Sequence, residues 1–228
     1  MSGGGWQVDV MQARRRLLTG KKSRLPHGYQ ELLYIDNVAP SHSYIITDVI
    51  PTDDLGFDCK FLTHSSISDS SSLYGCIFGG RRSSGNNDFQ LTTYKSSTNA
   101  FNGTLRTGAA RGYEIDAGIT SGVVQIAQKR YSIYTNPSGT TSMTSSYAWN
   151  QSVCPIYLFA LNNNNSPTQY GPGCAIYVMK FYDGDTLIRD YVPAKRLSDG
   201  AIGMYEMVTS EFIENARENS SFIAGPSV

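Results

Sequence analysis

The sequence predicts an all-β fold, an antiparallel β-sandwich or jelly roll. Short runs in which apolar and polar side chains alternate recur at intervals of about ten residues. Segments rich in Ser, Asn, Gly and Thr separate these runs, and 22 glycines, 15 tyrosines and nine phenylalanines suit strands that are joined by turns. Charged heptads are missing, which argues against a helical bundle or a coiled coil. A chain of 228 residues is long enough to bury the core of one such domain.

The segment from Cys174 to Phe212 carries the clearest strand signals, three runs in an antiparallel meander. Asp183-Gly184 and Ser198-Asp199-Gly200 supply turn residues that tolerate a positive φ. Pro193 has no N–H to donate, and we expect pairing of the second run to end there. The three runs span Ile176 to Phe181, Thr186 to Val192 and Ala201 to Val208.

Upstream of this meander the sequence predicts nine more strands and no linker between domains. Brief helical turns are expected only at Gln30 to Tyr34 and at Glu211 to Asn215. The predicted strands span Tyr44 to Ile50, Gly56 to Thr63, Leu73 to Phe78, Phe89 to Tyr94, Gly112 to Ala117, Val123 to Ala127, Tyr131 to Tyr134, Thr140 to Trp149 and Ile156 to Leu161. We therefore expect one sandwich domain over residues 25–228.

Residues 1–24 differ in kind and form a predicted basic, glycine-led arm. They hold six of the 19 basic residues and one of the 19 acidic residues. The rest of the chain is therefore acidic overall, although the whole chain has a net charge of zero. The apolar pair Leu17-Leu18 is too short for the core of a secretion signal. Alone, such an arm is solvated and disordered; alternatively, it orders on an acidic partner surface. The residues expected to dock are Arg14, Arg15, Arg16, Leu17, Leu18, Lys21 and Lys22.

The overall charge and the cysteines exclude several classes of protein. A net charge of zero argues against a nucleic-acid binding protein, and no stretch is apolar enough to span a bilayer. The four cysteines show no metal-ligand spacing, and we expect them to be reduced, buried and without disulfides. Asp53-Asp54 and Asp183 to Asp185 do not form a calcium loop, and a hairpin turn explains the second segment better.

Five sequence blocks resemble a module of gut bacteria and their bacteriophages. They are LPHGYQELLYIDNVAPSHSYIITDVIP (Leu25 to Pro51), CPIYLFALNNNNSP (Cys154 to Pro167), LIRDYVPAK (Leu187 to Lys195), DGAIGMYEMV (Asp199 to Val208) and a closing F…NA…SFIAG (Phe212 to Gly225). This module is a concanavalin A-like, or laminin-G-like, jelly-roll sandwich, and the resemblance covers Leu25 to Gly225. The family hosts lectins, hydrolases and structural modules, so the resemblance implies the fold rather than one activity.

The candidate catalytic residues are incomplete, and we expect no enzyme activity and no cofactor. Glycoside hydrolases of this fold class place carboxylates at alternate positions of one strand. Glu114 and Asp116 begin that pattern, but Gly118 and Ile119 stand where the next acid would be. The three histidines match no nucleophile motif, and Gly79-Gly80-Arg81-Arg82 lacks the spacing of a phosphate-binding loop.

Carbohydrate binding is the main alternative to a purely structural role. Aromatic faces stack on sugar rings, and planar amides bind their hydroxyl groups. The residues that could supply this patch are Trp149, Asn162, Asn163, Asn164, Gln169 and Tyr170. The competing interpretation is that Trp149 packs in the core and that the run of asparagines is only a turn.

These observations lead to a first hypothesis, a non-enzymatic structural component of a bacteriophage particle. The basic arm would dock on other virion proteins, and the sandwich would be displayed as a capsid decoration, head fibre or tail-associated protein. Such parts assemble in the host cytoplasm, without a secretion signal or membrane, and are usually symmetric homo-oligomers such as trimers. The second hypothesis is a lectin-like adhesion module for host or mucosal glycans. The third is a divergent glycoside hydrolase.

Overall fold

The computed structural model of the protein describes twelve segments of the chain. They are residues 23–37, 42–52, 54–63, 75–81, 88–95, 101–108, 113–119, 123–129, 132–136, 139–142, 154–168 and 173–228. Every regular element within these segments is a β-strand, and the strands form two sheets that share one core. The predicted all-β jelly-roll sandwich is therefore confirmed. The arm, residues 1–22, lies outside the described segments.

The strands are numbered in chain order. They are β1 (Tyr29–Glu31), β2 (Ile35–Asn37), β3 (Ile45–Ile46), β4 (Leu55–Thr63), β5 (Gly75–Arg81), β6 (Asp88–Lys95), β7 (Phe101–Gly108), β8 (Tyr113–Ile119), β9 (Val123–Lys129), β10 (Ser132–Asn136), β11 (Gly139–Ser142), β12 (Tyr157–Leu158), β13 (Leu161–Asn163), β14 (Ser166–Thr168), β15 (Cys174–Asp183), β16 (Thr186–Arg196), β17 (Ile202–Glu206), β18 (Glu211–Glu214) and β19 (Ile223–Ala224).

The larger sheet has eleven of the described strands and the smaller sheet has eight. The larger one runs β11-β10-β9-β4-β15-β16-β17-β18, with β1 beside β16 and with β2 joining β15 to β19. The smaller one runs β14-β13-β5-β6-β7-β8, with β12 between β3 and β5. Pairing is antiparallel except between β13 and β5, which run parallel. Phe159 adopts a φ of 66° and helps to reverse the chain between β12 and β13, so the predicted strand Ile156 to Leu161 is broken in two.

Aromatic side chains from both sheets meet in the core. Phe57 of β4 and Phe181 of β15 are registered partners in the larger sheet. The ring of Phe57 lies 4.8 Å from the ring of Phe78 on β5, edge to face. The ring of Phe181 lies 6.0 Å from the ring of Phe78. Since a strand alternates its side chains between two faces, these contacts fix which residues of each strand point inward.

The two predicted helical turns are wrong. Tyr29 to Glu31 pair with the carboxyl-terminal end of β16, and Glu211 to Glu214 pair with β17. In both places the neighbouring strand supplies a hydrogen-bonding edge, and tertiary pairing outweighs the local helix propensity of Glu. Phe101–Gly108 is a strand that the sequence analysis did not predict.

The expectation that pairing ends at Pro193 is also wrong, because β16 continues to Arg196 and Pro193 is registered with Met204. The carbonyl oxygen of Pro193 accepts a hydrogen bond from Leu32 N at 2.9 Å. The nitrogen and the carbonyl of one strand residue point to the same side, so the missing N–H of Pro193 also faces Leu32. The ladder with β17 therefore does not require a donor from this residue.

A two-residue loop joins β13 to β14. Asn163 is registered with Ser166, and Asn164 and Asn165 between them have φ values of 54° and 63°. Two successive positive φ values are typical of the type I′ turn, which suits the right-handed twist of a hairpin and favours Asn and Gly. Part of the asparagine run is thus explained by backbone geometry. The predicted hairpin turn at Asp183 to Asp185 is present as well, with Gly184 at a φ of 55°.

The four cysteine side chains are buried, as predicted, and the structure shows no disulfide among them. Cys59 lies on β4 and Cys174 begins β15, both among core side chains. Burial raises the pKa of each thiol above its usual value. In this environment the two side chains act as small apolar groups.

Glu206 at the end of β17 is 1% exposed and organises the turn to β18. Its Oε1 atom accepts from Asp190 N (2.8 Å) and Val208 N (3.0 Å), and its Oε2 atom accepts from Thr209 N (2.6 Å) and Thr209 Oγ1 (2.7 Å). Burial works to raise the pKa of Glu206. The hydrogen bonds outweigh burial and hold this pKa below its usual value of 4.5.

We expect Glu206→Gln to lower the free energy of unfolding by about 2 kcal/mol at pH 7, because hydrogen bonds to a charged acceptor are lost. A lowered pKa in the folded state stabilises the protein above the pKa of the unfolded chain. This contribution disappears as the pH falls through the folded pKa, so the variant should approach the parent in acid. Urea unfolding between pH 3 and 7 measures both effects. The exposed Glu211→Gln is the matched control, and equal losses in the two variants would contradict the prediction.

We expect Asn165→Val to lower the free energy of unfolding by about 2 kcal/mol, since a β-branched residue is strained at a positive φ. Asn165→Gly should change it by less than about 0.5 kcal/mol, because glycine adopts this conformation freely. Thermal or urea unfolding of the pair separates backbone strain from side-chain loss. Similar losses in both variants would show that the amide, and not the turn, is required.

Candidate functional site

The smaller sheet turns one face toward the core and the other away from it. Phe78 of β5 and Phe89 of β6 are fully buried, and their rings lie 6.0 Å apart within the core. Successive residues of a strand point to opposite faces, so Gly79 and Arg81 of β5 belong to the face away from the core. We call this the outer face.

The register of the neighbouring strands adds three residues to the outer face. Gly79 is paired with Gln90 on β6 and with Leu161 on β13, and Arg81 is paired with Asn163. Registered partners share a face of the sheet. Arg81, Gln90 and Asn163 are named here the outer-face cluster.

Gly79 has no side chain, and its neighbours Gln90 and Leu161 occupy the space above its backbone. A Cβ atom built on Gly79 would lie 2.6 Å from Gln90 Cβ and 2.9 Å from Leu161 Cδ1, closer than real side chains approach. The side chains of Gln90 and Leu161 therefore close over the bare backbone of Gly79. Gln90 is 3% exposed and Leu161 is 0% exposed, although both lie on the face away from the core.

Three polar atoms of the outer-face cluster are buried without a hydrogen-bond partner. They are Gln90 Oε1, Asn163 Oδ1 and Arg81 Nε. Two of them are amide oxygens that accept hydrogen bonds, and the third is a guanidinium N–H that donates one. The cluster therefore offers two acceptors and one charged donor from three adjacent strands.

Asn162 points to the opposite side of β13 and has a structural role. Its Nδ2 atom donates to the carbonyl oxygen of Pro155 at 2.8 Å, and the side chain is fully buried. Gly80, its partner on β5, leaves room for this crossing, since a Cβ there would lie 3.0 Å from the carbonyl oxygens of Cys154 and Pro155. The Oδ1 atom of Asn162 has no hydrogen-bond partner, and the side chain is as deeply buried as that of Gln90. The predicted role of Asn162 in glycan binding stays a prediction.

The remaining predicted glycan residues divide into two groups. Asn163 is half-buried and belongs to the outer-face cluster, and Asn164 is exposed at the hairpin tip, where its N–H donates to Arg81 O at 3.1 Å. Trp149, Gln169 and Tyr170 lie outside the described residues. Arg81 and Gln90 were not singled out from the sequence as binding residues. The available signal was the Gly79-Gly80 pair inside a strand, which marks a close approach of other groups to the backbone.

A second polar arrangement, the arm root, holds the chain where the described residues begin. Arg24 donates from Nε to Glu31 Oε1 at 3.2 Å and from its backbone N to Glu31 Oε2 at 2.7 Å. Its Nη1 atom lies 3.8 Å from Asp190 Oδ2, and Lys180 Nζ lies 3.2 Å from the same oxygen. Glu31 is 6% exposed, so Arg24 is fixed by a buried carboxylate rather than by a surface pair alone. The predicted docking residues Arg14 to Lys22 lie outside the described part of the chain.

Glu114, Asp116 and Gly118 all lie on β8, whose pairing with β7 is irregular between Ile115 and Ile119. Among the residues that the structure describes, no group of three or more His, Cys, Asp or Glu side chains could hold a metal ion. The described residues also contain no helix that is long and apolar enough to cross a membrane.

Comparison with known proteins leaves the chain without a family assignment. No protein-family model matches it, and no curated protein matches it. One similar solved structure is the native heptameric SAP-like pentraxin from Limulus polyphemus, at 13% identity and a TM-score of 0.44. The alignment covers 86% of this chain and 94% of the pentraxin chain. A likeness at this level assigns neither a family nor a function.

Proposed function

We propose that this protein is a non-enzymatic structural component of a bacteriophage particle, anchored through its amino-terminal arm and displaying its β-sandwich. The observation that carries the proposal is the arm root. Arg24 is bound to the buried carboxylate of Glu31 and lies near Asp190, so the chain leaves the sandwich at a fixed point. A fixed point of departure is what a tether requires if the domain is to be held in a defined orientation.

The charge distribution supports a docking role for the arm. The first 24 residues carry six basic side chains and one acidic side chain, whereas the rest of the chain is acidic overall. The arm is therefore attracted to an acidic partner surface and not to a basic one. The partners would be other virion proteins, in a capsid, head fibre or tail. A homo-oligomer, for example a trimer, would present several arms together and strengthen weak contacts through multivalency.

We expect deletion of residues 1–22 to abolish association with phage particles while the sandwich keeps its stability. The deletion leaves Ser23, Arg24 and the arm root in place, so only the docking segment is lost. Co-sedimentation with purified particles and thermal unfolding measure the two properties. A matched variant replaces Arg14, Arg15 and Arg16 with Gln, which removes charge at constant length. Normal incorporation of the truncated protein would refute the docking-arm hypothesis.

A second candidate function, a lectin-like adhesion module for host or mucosal glycans, is favoured by the outer-face cluster. Its two amide oxygens and one N–H are the type of polar groups that bind sugar hydroxyls, and the exposed hairpin tip adds Asn164 and Asn165 beside them. The two functions are compatible, since a particle component that is displayed outward can also attach the particle to a surface.

We expect Trp149→Ala and Tyr170→Ala to reduce retention on a glycan column, since stacked aromatic rings contribute to sugar affinity. Neither variant should change the thermal unfolding temperature if the rings serve binding. A loss of stability together with binding would instead indicate that Trp149 or Tyr170 packs in the fold. Phe159→Leu in the buried core is the control for a purely structural loss.

A further inference from the structure

The outer-face cluster brings together three buried polar atoms that lack a hydrogen-bond partner. Such atoms also occur elsewhere among the described residues, for example at Asn162 Oδ1. Each is destabilising, because folding removes the atom from water without giving it a new partner, so three on one face are costly. Gln90 is 3% exposed, so bulk water does not solvate its amide oxygen where it stands. This cost points to a bound group that completes the hydrogen bonds.

The chemistry of the missing group follows from what the cluster offers. Gln90 Oε1 and Asn163 Oδ1 require donors, and Arg81 Nε requires an acceptor. A hydroxyl group both donates and accepts, so two neighbouring hydroxyls on one ring can satisfy all three atoms. Carboxylates and phosphates would satisfy Arg81 but would repel the two amide oxygens. The cluster is therefore matched to a neutral diol and not to an anion.

We propose that the outer-face cluster binds a neutral sugar through a pair of adjacent hydroxyl groups. The inference rests on the carbohydrate-binding function proposed above and gives that function a site other than the Trp149 and Tyr170 segment. Its hydroxyl groups would donate to Gln90 Oε1 and Asn163 Oδ1 and would accept from Arg81 Nε.

The burial pattern indicates from which side the sugar arrives. The Gln90 end of the cluster is closed, whereas Arg81 and Asn163 are half-buried and the adjoining hairpin tip is exposed. Long side chains at a half-buried position can rotate toward solvent and admit a ligand. The hairpin side is the more exposed side of the cluster, so the terminal residue of a glycan is the probe to test first.

The test compares three variants of the full chain on an array of glycans that end in neutral hexoses, N-acetylhexosamines or fucose. Gln90→Leu removes an acceptor at similar size, Arg81→Gln removes the charged donor, and Glu211→Gln, on the exposed β18 of the larger sheet, leaves the cluster intact. We expect a loss of at least tenfold in affinity for the first two and less than twofold for the third. Glycans that end in sialic acid are the anionic comparison and should bind no better than neutral ones.

The outcomes separate the outer-face site from carbohydrate binding as such. Binding that survives both Gln90→Leu and Arg81→Gln would overturn the site and leave carbohydrate binding in place elsewhere on the protein. An absence of binding to every glycan by the parent protein would overturn both the site and the carbohydrate-binding function, and ordered water would then fill the cluster. Arg81→Gln also covers the case in which Gln90→Leu does not fold, because Arg81 is half-buried and its replacement opens no cavity in the core.

Discussion

The aromatic contact between the two sheets is the constraint on which the rest of the structure depends. Phe57 meets Phe78 at 4.8 Å, and this contact sets the inward face of β4 and β5 at once. Because side chains alternate along a strand, a shift of one residue in β5 would turn Arg81 into the core and Phe78 out of it. The irregular register between Cys76 and Phe78 shows that the ladder with β6 adjusts to keep Phe78 inside. The outer face is thus a consequence of core packing.

The same logic connects the arm root to the middle of the larger sheet. β15 is flanked by β4 along its length, by β16 beside its second half and by β2 beside Cys174 to Ile176. β1 in turn pairs with the end of β16, and Glu31 at its last position binds Arg24. A force on the arm would therefore pass through Arg24 into strands that lie near the centre of the sheet. An attachment point made in this way resists pulling better than one on a frayed terminal residue.

The sequence predicted the fold well where strand alternation and turn chemistry agree, as in the hairpin around Gly184 and the turn at Gly200, which has a φ of 78°. It failed where tertiary pairing decided, as for Glu211 to Glu214, whose strand exists because β17 offers an edge. The candidate site was only partly predictable. The sequence indicated Asn163 because planar amides bind sugar hydroxyl groups. Its neighbours Arg81 and Gln90, however, are 82 and 73 positions away in the chain. Only the register of three strands brings them together, and no local pattern encodes that register.

The way in which this chain treats its other buried polar groups bears on the meaning of the outer-face cluster. Glu206 receives four hydrogen bonds. The amide of Asn215 donates to Ser220 O at 2.7 Å and accepts from Tyr44 N at 3.1 Å. Both side chains have their partners, and natural proteins leave few buried polar atoms without one. The described residues include such atoms outside the outer-face cluster too, for example Asn162 Oδ1, but only the outer-face cluster is a departure in bringing three of them onto neighbouring strands of one face. Departures of this kind concentrate where a protein binds something, because the missing partner is then supplied by the ligand.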